Sequence, residues 1–208
     1  MTPAANAYNL PVVASPAAYR RQVRQNPCNR LVNLAEYVPG IRLDIRYATT
    51  ANLLGEPLYS VAAAYLREPA ATALRQVQAS LAAQNLGLLV YDAYRPYGVT
   101  VRFWERVQNE TYAAPPWRGS RHNRGCSVDV ALVDAAGRPL LMPTAFDDLT
   151  PAAHAAYEPV AAEARQNRAL LLDTMARFGF VNYPAEWWHF DFADWPEFDL
   201  LDIAFEDL

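Results

Sequence analysis

From Ser127 to Val133 the chain is almost uniformly apolar, with Val128, Val130, Ala131, Leu132 and Val133 interrupted by one charge, Asp129. A short apolar run that follows a polar, Gly-containing loop predicts a buried strand. Its alternation puts Ser127, Asp129 and Ala131 on one face and Val128, Val130 and Leu132 on the other. A lone carboxylate inside such a strand costs several kcal/mol unless something positive neutralises it. Elsewhere the pattern switches between the two periods. LDIRYAT (43–49) alternates apolar with polar and predicts a strand. EPAATALRQVQASLAAQN (68–85) repeats Ala71, Leu74, Val77 and Leu81 at helical spacing, with Ala and Gln outward. LLVYDAYRP starts as a buried strand after Gly87 and is closed by Pro96. GVTVRFWERVQN predicts a second helix, with Val101, Trp104 and Val107 or Gln108 on neighbouring faces.

A turn at AAGRP (135–139) is followed by LLMP, which predicts a hairpin partner strand. VAAEARQNRALLLDTMARFGF is the longest predicted helix, stopped at Gly179, and WWHFDF (187–192) supplies a final strand. Strands grouped around hairpins with unevenly interspersed helices predict an α+β fold, one domain whose central sheet is mainly antiparallel and flanked by helices. Residues 1–30, rich in Ala, Pro and Asn, read as an N-terminal arm lying on or off the domain. Residues 31–208 form the domain itself, including an acidic C-terminal tail.

Composition narrows the function classes. With 208 residues, 52% apolar and 19% charged, the chain is long enough for one substantial core and too apolar to be disordered. Eighteen basic residues against 22 acidic ones, with no basic run, argue against a nucleic-acid partner. No apolar stretch approaches the length of a membrane span. The N-terminus lacks the charged start and continuous apolar stretch of a signal peptide, which leaves a cytoplasmic location or a periplasmic one after signal removal. Cys28 and Cys126 are too few for a disulfide framework and read as reduced, partly buried thiols. The absence of any CxxC spacing excludes a zinc knuckle.

Chemistry concentrates around two of only three histidines. His122 stands seven residues before Asp129, and Glu186 three residues before His189. Two imidazoles and a carboxylate make a good Zn2+ ligand set with a fourth position left for water, and a dication would explain a buried Asp129. The competing account pairs Asp129 with Arg124 or Arg95 and treats each histidine as an ordinary hydrogen-bonded strand residue. Residues three apart on a regular strand face opposite ways, so Glu186 must sit on a bend to approach the same point, where it would serve as a general base. The helical HExxH arrangement is absent. Arg95, where a strand ends and the chain turns, suits an oxyanion or a substrate carboxylate; its alternative is a plain salt bridge to Asp92. His154 has no carboxylate at obvious spacing and reads as a structural or more distant residue. Of Trp187 and Trp188, alternation sends one into the core rather than into a sugar platform. Cys126 reads as a small buried filler rather than a nucleophile.

At these residues the chain resembles the D-alanyl-D-alanine dipeptidases, the VanX-type branch of the zinc D,D-peptidases. The pattern Ser-x-His-x-x-Gly-x-Ala-x-Asp is met by Ser120, His122, Gly125 and Asp129, with Ser127 replacing the usual Ala, and Glu-x-x-His is met by Glu186 and His189. YDAYRP, DIRYATTANLLGEPLY and MPTAFDDLTPAAH are similar to further family segments, in matching order between about Leu31 and Phe192. The resemblance implies an α+β zinc-peptidase fold of the D,D-peptidase and hedgehog type. It implies one Zn2+ per chain held by His122, Asp129 and His189, Glu186 as proton carrier, and Arg95 at the oxyanion. It also implies Asp147 on the substrate ammonium, with Ser120 and Tyr47 touching a small D,D-dipeptide that is cut to two D-alanines. The rival readings are a D,D-carboxypeptidase or endopeptidase on peptidoglycan stems, and a non-catalytic cell-wall-binding module with structural zinc.

Overall fold

A computed structural model gives the structure of residues 7–208. The chain opens with β1 (Val12–Val13) and α1 (Pro16–Gln25), then β2 (Leu31–Asn33), the single turn α2 (Leu34–Tyr37) and β3 (Arg42–Leu43). β4 (Tyr65–Arg67) runs into α3 (Glu68–Ala82), and β5 (Leu86–Asp92) leads to α4 (Tyr97–Val107). Then follow β6 (Ser127–Asp134), α5 (Ala162–Arg177), β7 (Phe180–Asn182), β8 (His189–Phe192) and β9 (Leu200–Leu201). The central sheet has the order β3-β5-β6-β8-β7, parallel only between β3 and β5. α3 packs on β5, α5 packs on β6 and β7, and the two helices touch. The expected α+β architecture, mainly antiparallel with flanking helices, is the one observed. No helix among the described residues is long and apolar enough to cross a membrane.

The helices follow their apolar periodicity. Ala71, Leu74, Val77 and Leu81 of α3 are buried as expected, but so is Gln78, whose side-chain oxygen accepts from the Leu88 amide at 2.8 Å. That bond satisfies a buried amide beside Gly87, which explains a polar residue on an inward face. On α4 the buried face is Val99, Thr100 and Phe103, not the one carrying Val101 and Trp104. α5 is the longest helix and is stopped by Gly179 at φ +84°, a conformation that glycine adopts without strain.

Three strand expectations are corrected. Of LDIRYAT only Leu43 lies in the β3–β5 ladder, which begins at Arg42, and the chain then turns into a 3-10 segment at Arg46–Ala48. The turn buries Ile45 and Tyr47 as a strand would, so alternation could not separate the two. LLMP forms no strand. The hairpin turn closes with a single bridge, Val133 to Pro139, flanked by bonds from the Asp134 amide to the Arg138 carbonyl and from the Leu140 amide to the Leu132 carbonyl. Pro139 and Pro143 have no N–H to extend the ladder. WWHFDF is not the last strand: β9 follows it and pairs in parallel with β1, Val12 opposite Leu200 and Val13 opposite Leu201. Residues of the N-terminal segment thus pack on the sheet-bearing body, with Val12, Val13 and Tyr19 buried. Trp187 and Trp188 are both core residues, their rings edge to face at 5.3 Å.

Register gives the sheet a polar patch. Antiparallel pairing sets Asp129 opposite His189 and Ser127 opposite Asp191, so all four share one face. On the other side of β6, Val90 pairs with Val130, yet Asp129 is met by Asp92 rather than Tyr91. A β-bulge absorbs the extra residue and carries Asp92 to that end of the sheet. The loop before β6 reaches it through Gly125 at φ +69°, where an added Cβ would lie 2.5 Å from Leu31 Cδ2. Arg67, fully buried, holds this loop by donating to the carbonyls of Arg124, Asn29 and Asp199.

Gly125→Ala therefore combines a left-handed backbone with a clash, and urea unfolding should show a loss of about 2–4 kcal/mol. Gly55→Ala, at φ +72° with nothing within 4 Å, should lose only the conformational part, about 1 kcal/mol.

Candidate metal centre and active site

Above the polar patch lies a cavity of about 430 Å³. Its lining includes every site residue expected from the sequence: Tyr47, Arg95, Ser120, His122, Asp129, Asp147, Glu186 and His189. They come from five separate parts of the chain, brought together by the sheet register and the connecting segments around it.

His122 stands at the start of a 3-10 turn, Asp129 in β6 and His189 at the start of β8. His122 Nε2 and His189 Nδ1 are 3.1 Å apart, His189 Nδ1 and Asp129 Oδ1 3.1 Å, and His122 Nε2 and Asp129 Oδ1 3.4 Å. Donors at about 2.0–2.2 Å from a tetrahedral Zn2+ lie about 3.3 Å from one another, so this triangle has the size of one face of such a site. The far side of each imidazole is tied down. His122 Nδ1 faces the Ala93 carbonyl at 2.6 Å, and His189 Nε2 faces Asp191 Oδ1 at 3.0 Å. In the neutral rings that a metal ion requires, these contacts would hold each proton away from the triangle and leave a lone pair facing it. The donor set fits zinc.

Burial works against an ionised Asp129, but the two histidines outweigh it and hold its pKa far below the usual carboxylate range. Burial likewise disfavours a charged His189, and Asp191 with Asp129 reverses this and pushes its pKa up. Among the described residues, these three form the one group of donors close enough to share an ion.

Glu186 sits between two turns and reaches back to within 3.7 Å of His189 Nδ1, so the required bend exists. The Glu186 amide donates to Tyr183, and the His189 amide in turn donates to the Glu186 carbonyl. Burial raises its carboxyl to about 8, opposed by His189 and reinforced by Asp129 and Asp147. A group poised near neutrality can both take and return a proton.

Arg95 makes the salt bridge to Asp92 and also lines the cavity. Nε and Nη2 bind Asp92 Oδ2 at 2.9 and 2.7 Å, while the guanidinium lies against the adjoining rings of Tyr47 and Phe103 and borders the cavity. Tyr59 donates to the other oxygen of Asp92 at 2.7 Å, so the arginine's anchor is itself anchored. Of the two arginines considered for Asp129, Arg95 makes a long ion pair at 4.0 Å, farther than the histidines, and Arg124 is turned to the Phe198 carbonyl.

Asp147 adopts φ +62°, a conformation Asp tolerates better than most residues. Phe146 fixes the loop by stacking on Tyr91 at 4.6 Å and meeting Trp188 edge-on at 5.5 Å. Tyr47 donates to Asp147 Oδ1 at 2.9 Å, whereas Oδ2 is buried without a hydrogen-bond partner among the described residues. Burial pushes this carboxyl up to about 7, against the Tyr47 hydrogen bond. The Ser120 hydroxyl accepts from the His122 amide at 3.2 Å, and its own amide donates to Asn123.

Sequence reasoning missed Asp191, and took Asp92 only as a salt-bridge partner. Asp191 was legible as the residue two beyond His189 on the same strand face; the bulge that delivers Asp92 leaves no sequence signal. His154 does not line the cavity. Cys126 is buried, with its thiol pushed up to about 12 by burial, as suits an inert filler. Cys28 is exposed, not partly buried, because it lies in a polar 3-10 turn on the surface.

A family model described as D-ala-D-ala dipeptidase matches residues 28–206. Curated relatives include D-alanyl-D-alanine dipeptidases of Escherichia coli, 34% identical over 82% of this chain and 89% of that protein, and of Enterococcus faecalis, 31% identical over 81% and 94%. A third, from Enterococcus faecium, is 30% identical over 78% of this chain and 91% of that protein.

The two cavity carboxyls that burial pushes up, Asp147 and Glu186, work against folding at neutral pH. The folded pKa of Asp147 lies above its ordinary 3.8, so the fold favours the protonated form and loses stability as pH rises from about 4 to about 7. The full shift corresponds to about 4 kcal/mol at most. Asp147→Asn should therefore raise the melting temperature by several degrees at pH 8 and leave it nearly unchanged at pH 4, read by calorimetry at both pH values.

Proposed function

Since the chain belongs to the family of D-Ala-D-Ala dipeptidases, we propose that it hydrolyses D-Ala-D-Ala to two D-alanines as a zinc metallopeptidase, with one Zn2+ per chain. The observation that carries the reading is the pair of features in one cavity: a donor triangle of zinc dimensions beside Glu186, and a half-satisfied Asp147 across from it. In this reading His122, Asp129 and His189 hold the ion. When bound, Zn2+ polarises the scissile carbonyl as a Lewis acid and acidifies the attacking water.

The chain's own groups do the rest. Glu186 takes a proton from the water as its oxygen attacks the carbonyl carbon. It returns a proton to the nitrogen as the C–N bond breaks, so one carboxyl serves as base and then as acid. Arg95 cannot lose its charge and is aimed by Asp92, and it stabilises the negative oxygen that develops in between. Both aromatic neighbours, Tyr47 and Phe103, limit its movement.

Asp147 accepts the substrate's free ammonium on Oδ2 while Tyr47 occupies Oδ1. An N-acylated stem peptide has no ammonium there and would leave a buried carboxylate unpaired, which favours the free dipeptide. Ser120 and Tyr47 complete the contact surface. The charge inventory agrees with this. Asp92 is matched by Arg95 and Asp191 by Arg121, while Asp129, Asp147 and Glu186 remain to be balanced by a dication and an ammonium.

The decisive assay measures D-alanine released from D-Ala-D-Ala, its N-acetylated form and a stem pentapeptide, alongside zinc content. Preference for the N-acetylated or pentapeptide substrate would overturn the dipeptidase reading. Glu186→Gln should retain stoichiometric zinc and lose about 10²–10⁴-fold in kcat. His122→Ala should lose the metal. Asp147→Asn should raise KM for the free dipeptide and leave turnover of the N-acetylated form nearly unchanged.

A further inference from the structure

We propose that Asp191 is a positioning residue that fixes His189 as an Nδ1 ligand, and that Ser127 and Arg121 hold Asp191 in place for this purpose. A neutral imidazole carries one N–H. For Nδ1 to offer its lone pair to the triangle it forms with Asp129 and His122, that proton must sit on Nε2, and Asp191 Oδ1 accepts it at 3.0 Å. The same oxygen takes the Ser127 hydroxyl at 2.6 Å, and Oδ2 takes the Arg121 guanidinium. Arg121 lies over the Trp195 ring at 4.8 Å. The carboxylate cannot rotate away from His189 without abandoning both partners.

This device is built into the sheet and one loop. Ser127 and Asp191 are direct cross-strand partners, one step along from the Asp129–His189 pair. Arg121 precedes His122 in the chain, so a single loop supplies one metal donor and clamps the orientation of the other. The two histidines are held differently: His122 Nδ1 meets the Ala93 carbonyl at 2.6 Å with Asp92 Oδ2 farther off at 3.6 Å, whereas His189 Nε2 bonds a carboxylate directly at 3.0 Å. Ser127 is also the position at which the chain departs from the Ala of the pattern it resembles, which ties the arrangement to this chain's own residues. A carboxylate behind a zinc-bound histidine raises its basicity and fixes its ring, and removing such a partner typically weakens metal binding about 10–100-fold.

The inference rests on the ligand assignment proposed above, and the test separates the two. Zinc affinity of the full chain is measured by competition with a chelating dye, and His189 is followed by 15N-histidine NMR of the zinc-loaded protein. Wild-type should show an exchange-protected Nε2–H on His189. In Asp191→Asn the amide must turn its NH2 away from Arg121 and toward His189, where it favours the wrong tautomer. Zinc affinity should fall about 10–100-fold, and the protected signal should be lost. Ser127→Ala and Arg121→Gln, which leave the carboxylate but loosen it, should each weaken zinc several-fold. They decide the matter should Asp191→Asn not fold. Wild-type affinity in these variants with an unchanged His189 signal would overturn the positioning role alone. A wild-type protein that takes up no zinc would remove the ligand assignment together with it.

Discussion

Negative charge gathered where water is scarce is the constraint on which this molecule turns. Asp92, Asp129, Asp147, Glu186 and Asp191 border one cavity or the groups that line it, and three of them, Asp92, Asp129 and Asp191, are themselves buried residues. Carboxylates at such spacing repel one another strongly in a low-dielectric interior. Each is therefore either matched by a fixed cation, surrounded by donors, or left to rise in pKa. Asp92 and Asp191 take the first course with Arg95 and Arg121. Asp129 takes the second with two histidines. Asp147 and Glu186 take the third, pushed up to about 7 and about 8 by burial. These are the two that the proposed reaction asks to meet a cation and to carry a proton.

The scaffold converts that tension into geometry. Antiparallel register makes Asp129 and His189, and Ser127 and Asp191, unavoidable neighbours. The bulge in β5 adds Asp92, and through it Arg95, to the same end of the sheet. Loops then bring His122, Asp147 and Glu186 in from positions the sheet alone could not reach. Their backbones are braced in unusual ways: Gly125 and Asp147 are left-handed, and a buried Arg67, hydrogen-bonded to three carbonyls, binds the loop to Asn29 and Asp199. The β1–β9 pairing ties the Val12–Val13 strand to the Leu200–Leu201 strand.

Stability and function pull in opposite directions at these residues. An apolar cavity of the same shape would fold more firmly; in the proposed function the charged one serves a dication and a zwitterionic dipeptide. The hydrophobic core around Leu74, Leu88, Leu132, Trp187 and Phe190 supplies the surplus that allows the cavity to exist.

How much of this was legible in one dimension depends on the range of the interaction. The long helices, strands β5 and β6, and the α+β class follow from apolar periodicity, a property of neighbours in the chain. The donor types were legible because Asp129 violated its own strand pattern, and because His189 with Glu186 repeated the oddity in a second strand. Short elements were not: Ile45 and Tyr47 bury equally well in a strand or a 3-10 turn, and Pro139 ended a hairpin the apolar run seemed to promise. The sequence by itself determined which side chains could bind a cation, carry a proton or take a charge. Only the tertiary structure decided that three donor atoms stand 3.1–3.4 Å apart, that Arg95 leans on Asp92, and that Asp191 stands behind His189. Those distances depend on register, a bulge and loop closure, which arise from contacts between residues remote in the chain.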